Sequence, residues 1–383
     1  MATKKWMDSE NEQVLVEQHN CARTIVLNRP RQLNALSFKM VSRLLQLFLE
    51  FEEDSKAKLL IMKGKGRAFS AGGDVSAAAH LATEGHWSFA AKFFQVEYTL
   101  NYVMATYSKP QVSLLDGIVM GGGAGASMHG RFRVVTENTV FAMPETALGL
   151  FPDVGASHFL SRLPGFFGEY VGLTGVRLSG ADLLACGLAT HFVPSMKIPL
   201  LEEALHVADT SDPLVVNAII LKLSERIPLK DSSPYHRLDI INKCFSKRSV
   251  EEIMSALEEE TLKGVNEWLS VTIESLKKAS PLSLKLCLRL IREGRLQSID
   301  QCLSREYRVV SHIMKSEHSS DFFEGCRAIL FDKDRNPKWN PSKLELVSEE
   351  MVDDYLTKVN DEEWKDLELL PRPRATASSI SKL

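Results

Sequence analysis

The sequence contains no apolar run approaching the roughly 20 residues that a membrane-spanning helix needs, so no membrane partner is expected. Charge of one sign is also scarce. Its 46 basic and 49 acidic side chains nearly cancel to a formal net charge of -3, which supplies no global field for nucleic acid. The cysteines number only six, at 21, 186, 244, 287, 302 and 326. None forms a C-x-x-C pair or a zinc-ligand spacing, which excludes a disulfide framework and a cysteine-based metal knot and predicts reduced thiols in an intracellular compartment. The N-terminal residues lack the apolar centre of a secretory signal, and Asp8, Glu10 and Glu12 argue against an acid-poor transit peptide. No strict repeat is present.

At 383 residues the chain can bury a sizeable core and carry an appended unit. Val14 to Glu17 and Ala22 to Leu27 are β-rich runs around turn-forming residues, which predicts an opening hairpin. Ser37 is a good N-cap, and Met40, Val41, Leu44, Leu45 and Phe48 follow it at helical spacing. The pattern then predicts a strand over 58–63, one long helical stretch over 75–106, strands over 112–115 and 132–136, and a last core strand over 189–193. Strands alternating with helices indicate an α/β core with parallel pairing. Beyond about residue 200 only helical patterns remain, over 201–207, 213–227, 250–257 and 281–291. The expected organisation is an N-terminal extension over 1–13, an α/β core over 14–200, a helical C-terminal region over 201–365 and a flexible tail over 366–383.

Three segments could carry chemistry. Gly64 to Asp74 follows a predicted strand, and its glycines let backbone approach a ligand or simply make a strand-to-helix turn. Gly121-Gly122-Gly123-Ala124-Gly125 opens a helix, where unpaired N–H groups suit an oxyanion or phosphate. The same run matches the weak dinucleotide fingerprint G-x-G-x-x-A, but it comes after several elements and not in the first βα turn. The third segment, Phe141 to Gly155, embeds Glu145 and Asp153 in apolar sequence. Acids in such surroundings are costly unless paired or used, and neighbouring carboxylates push their pKa values apart; a helix cap or a basic partner is the alternative. No serine nucleophile emerges, because Ser127 misses G-x-S-x-G by one residue. His129 and His191 read as structural.

Together these segments resemble the enoyl-CoA hydratase/isomerase (crotonase) superfamily over residues 14–195. The resemblance is carried by Asn28-Arg29-Pro30, Leu33-Asn34-Ala35-Leu36, Ala71-Gly72-Gly73-Asp74, Met120-Gly121-Gly122-Gly123 and Met143-Pro144-Glu145, in that order. It implies a spiral of β-β-α turns followed by a helical C-terminal region. It also implies an oxyanion hole from the N–H groups of Gly73 and Gly122, and an adenine-contacting segment at Asn34, Ala35 and Leu36. Family hydratases carry a second glutamate where this chain has Gly125, which puts double-bond hydration in doubt. Asp153, the 141–155 stretch, Thr190-His191-Phe192-Val193 and Glu97-Tyr98 look instead like the hydrolase branch acting on 3-hydroxyisobutyryl-CoA, in which an acid at the place of Glu97 lines the pocket. By that resemblance Glu145 is the base or nucleophile, Asp153 holds the substrate hydroxyl or tunes Glu145, and the acyl-CoA thioester is cleaved in valine breakdown. No metal or redox cofactor is implied. A hydratase or isomerase, and a non-catalytic CoA-binding scaffold, are the rivals, and a homo-oligomer is compatible with the family. The tail adds a separate expectation: Ser381, Lys382 and Leu383 match the peroxisomal address read by an import receptor, preceded by a Pro-, Ala- and Ser-rich tether.

Overall fold

Hydrogen bonding joins β1 (Val14–His19) to β2 (Ala22–Leu27) as an antiparallel hairpin, as its two β-rich runs predict. The computed structural model describes residues 12–84, 86–264, 267–362, 364–369 and 371–372. From β2 onward the large sheet is parallel: β3 (Leu59–Gly64), β5 (Gln111–Leu115), β7 (Phe132–Val135) and β10 (His191–Phe192) extend it in the order β1-β2-β3-β5-β7-β10. A second sheet, missed by periodicity because its strands are two or three residues long, orders β4 (Ala68–Ser70), β6 (Ile118–Met120), β8 (Val140–Ala142) and β9 (Leu178–Ser179). In β3–β4, β5–β6 and β7–β8 the chain visits the large sheet and then the small one before it turns helical. That alternation is the β-β-α spiral.

Ser37 caps α1 (Phe38–Glu53) by accepting from Met40 N at 3.2 Å, and the predicted apolar stripe, apart from the partly buried Leu45, is buried. The expected single helix over 75–106 is in fact α2 (Val75–Thr83) and α3 (Trp87–Ala105). Thr83-Glu84-Gly85-His86 interrupts the apolar pattern between the two, a break signal that the single-helix expectation passes over.

The inner strands β2, β3, β5 and β7 of the large sheet are largely buried on both faces, hence their largely apolar sequence, whereas the edge strand β1 is partly exposed. Leu59, Ile61, Val112, Leu114, Phe132 and Val134 face the helices Ile198–Val207 and Pro213–Leu223, which cover the sheet's back. The opposite face belongs to a cluster that runs from Val14 to Leu367. After residue 200 no further strand occurs among the described residues, but the apolar cluster continues across it. The later helix Ile299–Lys315 packs along α3, and among the described residues no helix is long and apolar enough to cross a membrane.

Candidate active site

Two strand-to-helix junctions meet because β4 and β6 are neighbours in the small sheet. Gly73 lies in the first junction, between β4 and α2. Gly122 opens α4 (Gly122–Met128) in the second. The first junction is held by bonds from Leu36 N to Gly72 O at 2.8 Å and from Asp74 N to Leu36 O at 2.9 Å. These flank Gly73, so its own N–H points to the other side, toward Gly122. At a helix start the first N–H groups have no intrahelical acceptor, which leaves Gly122 N facing the same space. A Cβ on Gly122 would lie 2.6 Å from Glu97 Oε1 and 2.9 Å from Gly73 N, and one on Gly121 would lie 2.7 Å from Glu145 Oε1. Glycine at both positions is thus what lets two carboxylates approach the paired amides.

Glu97 comes from α3, Glu145 from the first position of a short turn over Glu145–Leu148, and Asp153 from the loop after it. With Gly73, Gly122, Phe93, Phe94, Leu148 and Leu150 they line one small cavity. All three acids are at most 5% exposed. Glu97 Oε1 and Glu145 Oε2 meet no hydrogen-bond partner among the described residues, whereas Asp153 Oδ2 accepts from the Tyr98 hydroxyl at 2.7 Å. Burial, and then the charge of Asp153, pushes Glu97 and Glu145 well above the ordinary carboxylate range. Burial also raises Asp153, to about 6, with the Tyr98 bond opposing it. Burial thus disfavours charge on all three acids, and Asp153 alone has a side-chain donor that favours its carboxylate.

The loop after Asp153 is strained. Val154 has φ +53°, a left-handed conformation that is a genuine outlier for a β-branched residue. It is fixed from two sides: His129 Nε2–H donates to Val154 O at 2.8 Å, and Glu306 on the Ile299–Lys315 helix accepts from Gly155 N at 2.7 Å, Ser157 N at 3.0 Å and Ser157 Oγ at 2.5 Å. The turned Val154 side chain occupies the space beside Gly125, where an added Cβ would come within 2.5 Å of Val154 Cβ. No side chain fits at the place of the hydratases' second glutamate.

A family model described as Enoyl-CoA hydratase/isomerase matches residues 22–356. The chain is 61% identical over 98% of its length, and 99% of the relative's, to 3-hydroxyisobutyryl-CoA hydrolase 1 of Arabidopsis thaliana. This chain belongs to the 3-hydroxyisobutyryl-CoA hydrolases of the enoyl-CoA hydratase/isomerase family. A second Arabidopsis thaliana relative, 3-hydroxyisobutyryl-CoA hydrolase-like protein 1, mitochondrial, is 49% identical over 93% of this chain and 89% of its own. Among solved structures, a carnitinyl-CoA dehydratase from Mycobacterium thermoresistibile superposes with a TM-score of 0.84 at 35% identity, covering 94% of this chain and 99% of that one. The expected crotonase-like fold is thereby shown.

Within this hydrolase family's framework, five of the residues singled out in the sequence, Gly73, Glu97, Gly122, Glu145 and Asp153, share the cavity. Asn34, Ala35 and Leu36 do not. The buried Asn34 side chain donates to Lys65 O and Ala68 O and accepts from Arg29 N; Leu36 is buried in the core. The Asn34 side chain and the Leu36 backbone brace the loop that carries Gly73, and of the three only Ala35 keeps some exposure. His129 and His191 are in structural bonds, and the Ser127 hydroxyl is spent on Gly123 O and Ala124 O. Ser381, Lys382 and Leu383 lie outside the described residues. Sequence reading missed Glu306, whose signal was an acid on the buried stripe of a helix beside Leu303, Tyr307 and Val310.

Proposed function

We propose that the protein hydrolyses 3-hydroxyisobutyryl-CoA, releasing 3-hydroxyisobutyrate and coenzyme A, a reaction consistent with valine breakdown. The observation that carries this reading is the convergence of Glu145 and Asp153 on the amides of Gly73 and Gly122, with Val154 filling the place a second hydratase glutamate would need. The thioester oxygen would accept from both amides, which stabilise the charge that develops as the carbonyl carbon is attacked. Glu145, once ionised, either takes the proton of a water that attacks the carbonyl, after which the carbon–sulfur bond breaks, or attacks the carbonyl itself, the carbon–sulfur bond breaking as the anhydride forms and water then opening the anhydride; on both routes the CoA sulfur leaves as thiolate. Asp153, charged and oriented by Tyr98, would accept from the substrate 3-hydroxyl. Glu97, beside Gly122, would line the acyl pocket. A thiol-release assay over a panel of acyl-CoA thioesters, with crotonyl-CoA hydration as control, tests the assignment. Hydrolysis of the 3-hydroxyisobutyryl ester should dominate, and a hydration rate equal to or above it would overturn the reading.

For location we propose import into peroxisomes through Ser381, Lys382 and Leu383, supported by the match of this tripeptide to the receptor-read address; one relative's name places that relative in mitochondria. An N-terminal fluorescent fusion should give peroxisomal puncta that vanish when the tripeptide is deleted. Puncta that persist would point to another signal.

A further inference from the structure

A second cluster of potential ligands lies at the C-terminal end of the Ile299–Lys315 helix, outside the acid cavity. His312, Glu317 and His318 each bring one ligand atom within 4.8 Å of the others. They meet because Ser316, at φ 57°, caps the helix in a left-handed conformation, with its N–H bonded to His312 O at 3.0 Å. The chain turns back over its own last turn.

His312 is only 5% exposed. Its Nε2 lies 3.2 Å from Thr357 O, and a carbonyl can only accept, so Nε2 carries the ring proton. Nδ1 then keeps its lone pair, yet it is buried and meets no partner among the described residues. A buried unsatisfied acceptor is costly. An imidazole whose far N–H is fixed by a backbone carbonyl is, however, the usual arrangement of a metal-bound histidine.

We propose that His312 Nδ1, the Glu317 carboxylate and a ring nitrogen of His318 form a binding site for a zinc-class divalent cation, with a fourth position open to water. Two nitrogens and one carboxylate suit Zn²⁺ or Co²⁺, whereas Mg²⁺ and Ca²⁺ take oxygen ligands. Ligand atoms on tetrahedral zinc sit roughly 3.4 Å apart, so the three must draw in by about an ångström. Glu317 and His318 are exposed and can make that movement. Lys315 is the competitor, with Nζ 2.8 Å from Glu317 Oε1. It also lies 3.6 Å from Asp361 Oδ2 and 3.3 Å from Asn360 O, so it retains partners when Glu317 turns to the metal. The cation would fasten the end of the helix that carries Glu306 to the segment leading into the Asp321–Cys326 helix, which packs on the Glu145–Leu148 turn.

The test uses the full-length protein, stripped by chelator and titrated with Zn²⁺ against a chromophoric competitor, then with Co²⁺ for its visible absorption. The six cysteines are buried and offer little competition. One equivalent of zinc should bind, unaffected by excess Mg²⁺ or Ca²⁺. Glu317→Gln and His318→Gln alter exposed side chains and should leave folding and thioester hydrolysis intact while weakening zinc binding about tenfold or more. Absence of zinc binding in the parent would overturn the site. Equal zinc affinity in the double variant Glu317→Gln/His318→Gln would overturn it as well, by placing the metal elsewhere.

Discussion

The hydroxyl of Tyr98 donates a 2.7 Å hydrogen bond to Asp153 Oδ2; both side chains are buried, and Asp153 lines the same cavity as Glu145. Tyr98 sits on α3 next to Glu97, so one helix supplies both an acid of the cavity and the donor that keeps another acid charged.

Removing that donor should make Asp153 harder to ionise. The bond favours the carboxylate and opposes the burial that lifts it to about 6. In Tyr98→Phe the rise of kcat/KM with pH that tracks Asp153 should move to higher pH, with activity partly recovered by raising the pH. A pH–rate profile superimposable on the parent's would mean that ionised Asp153 is not required.

The raised pKa values also set how stability depends on pH. Asp153 titrates near 6 in the folded protein and near 3.9 in an unfolded chain. Between those values the native state keeps a proton that the unfolded state has released, so stability falls as pH rises through that window. Asp153→Asn removes the ionisation and can still accept from Tyr98. It should be more stable than the parent above pH ~6, by up to about 3 kcal/mol, and equal to it near pH 4. Glu145→Gln should act with the same sign, since burial raises that acid too. Denaturant unfolding at both pH values checks this; a gain independent of pH would reflect packing instead.

How much of this was legible in the sequence depends on the range of the contact. The alternation of strands and helices, the glycine junctions and the two acids of the 141–155 segment are local patterns, and the fold follows from them. The Val154 and Gly125 contact and the clasp of Glu306 on Gly155, from 151 residues away, are not local and leave no spacing to read. The side chain of Asn34 satisfies the backbone of the loop that carries Gly73, a role that its motif does not announce.

Glu306 should therefore matter to catalysis without touching substrate. Glu306→Gln keeps the volume but replaces one acceptor oxygen with a donor, which faces the N–H of Gly155 or Ser157. The strained Val154 turn then loses part of its support, and the expected cost is about 1 to 3 kcal/mol of stability. Below the new melting temperature, kcat should fall more than KM changes, because Asp153 shifts while the acyl-CoA surface persists. Unchanged kcat would confine Glu306 to folding.

The packing of Val154 on Gly125 predicts that hydratase activity cannot be restored by one substitution. Gly125→Glu places its Cβ within 2.5 Å of Val154 Cβ, so the strained loop must move and Asp153 with it. The variant should be destabilised by several kcal/mol and should hydrate crotonyl-CoA no faster than the parent. A stable variant with new hydratase activity would show that the loop yields more readily than its bonds to His129 and Glu306 imply.

The two acids of the third segment can be separated by substrate. Glu145→Ala removes the base or nucleophile, so hydrolysis should collapse for every thioester while acyl-CoA binding, which rests on the glycine junctions, persists. Asp153→Asn keeps the size of the side chain but loses its charge. If the carboxylate grips the 3-hydroxyl, hydroxylated thioesters should lose kcat/KM by about tenfold to a hundredfold more than their deoxy analogues, because only they lose a charged partner in a buried site. Both variants are compared with the parent for folding first, since the acids they remove are buried. An equal loss on the paired substrates would take Asp153 out of recognition and leave it the tuning of Glu145, whose pKa its charge raises. Near-normal turnover in Glu145→Ala would instead direct attention to Glu97, whose Oε1 lies beside Gly122.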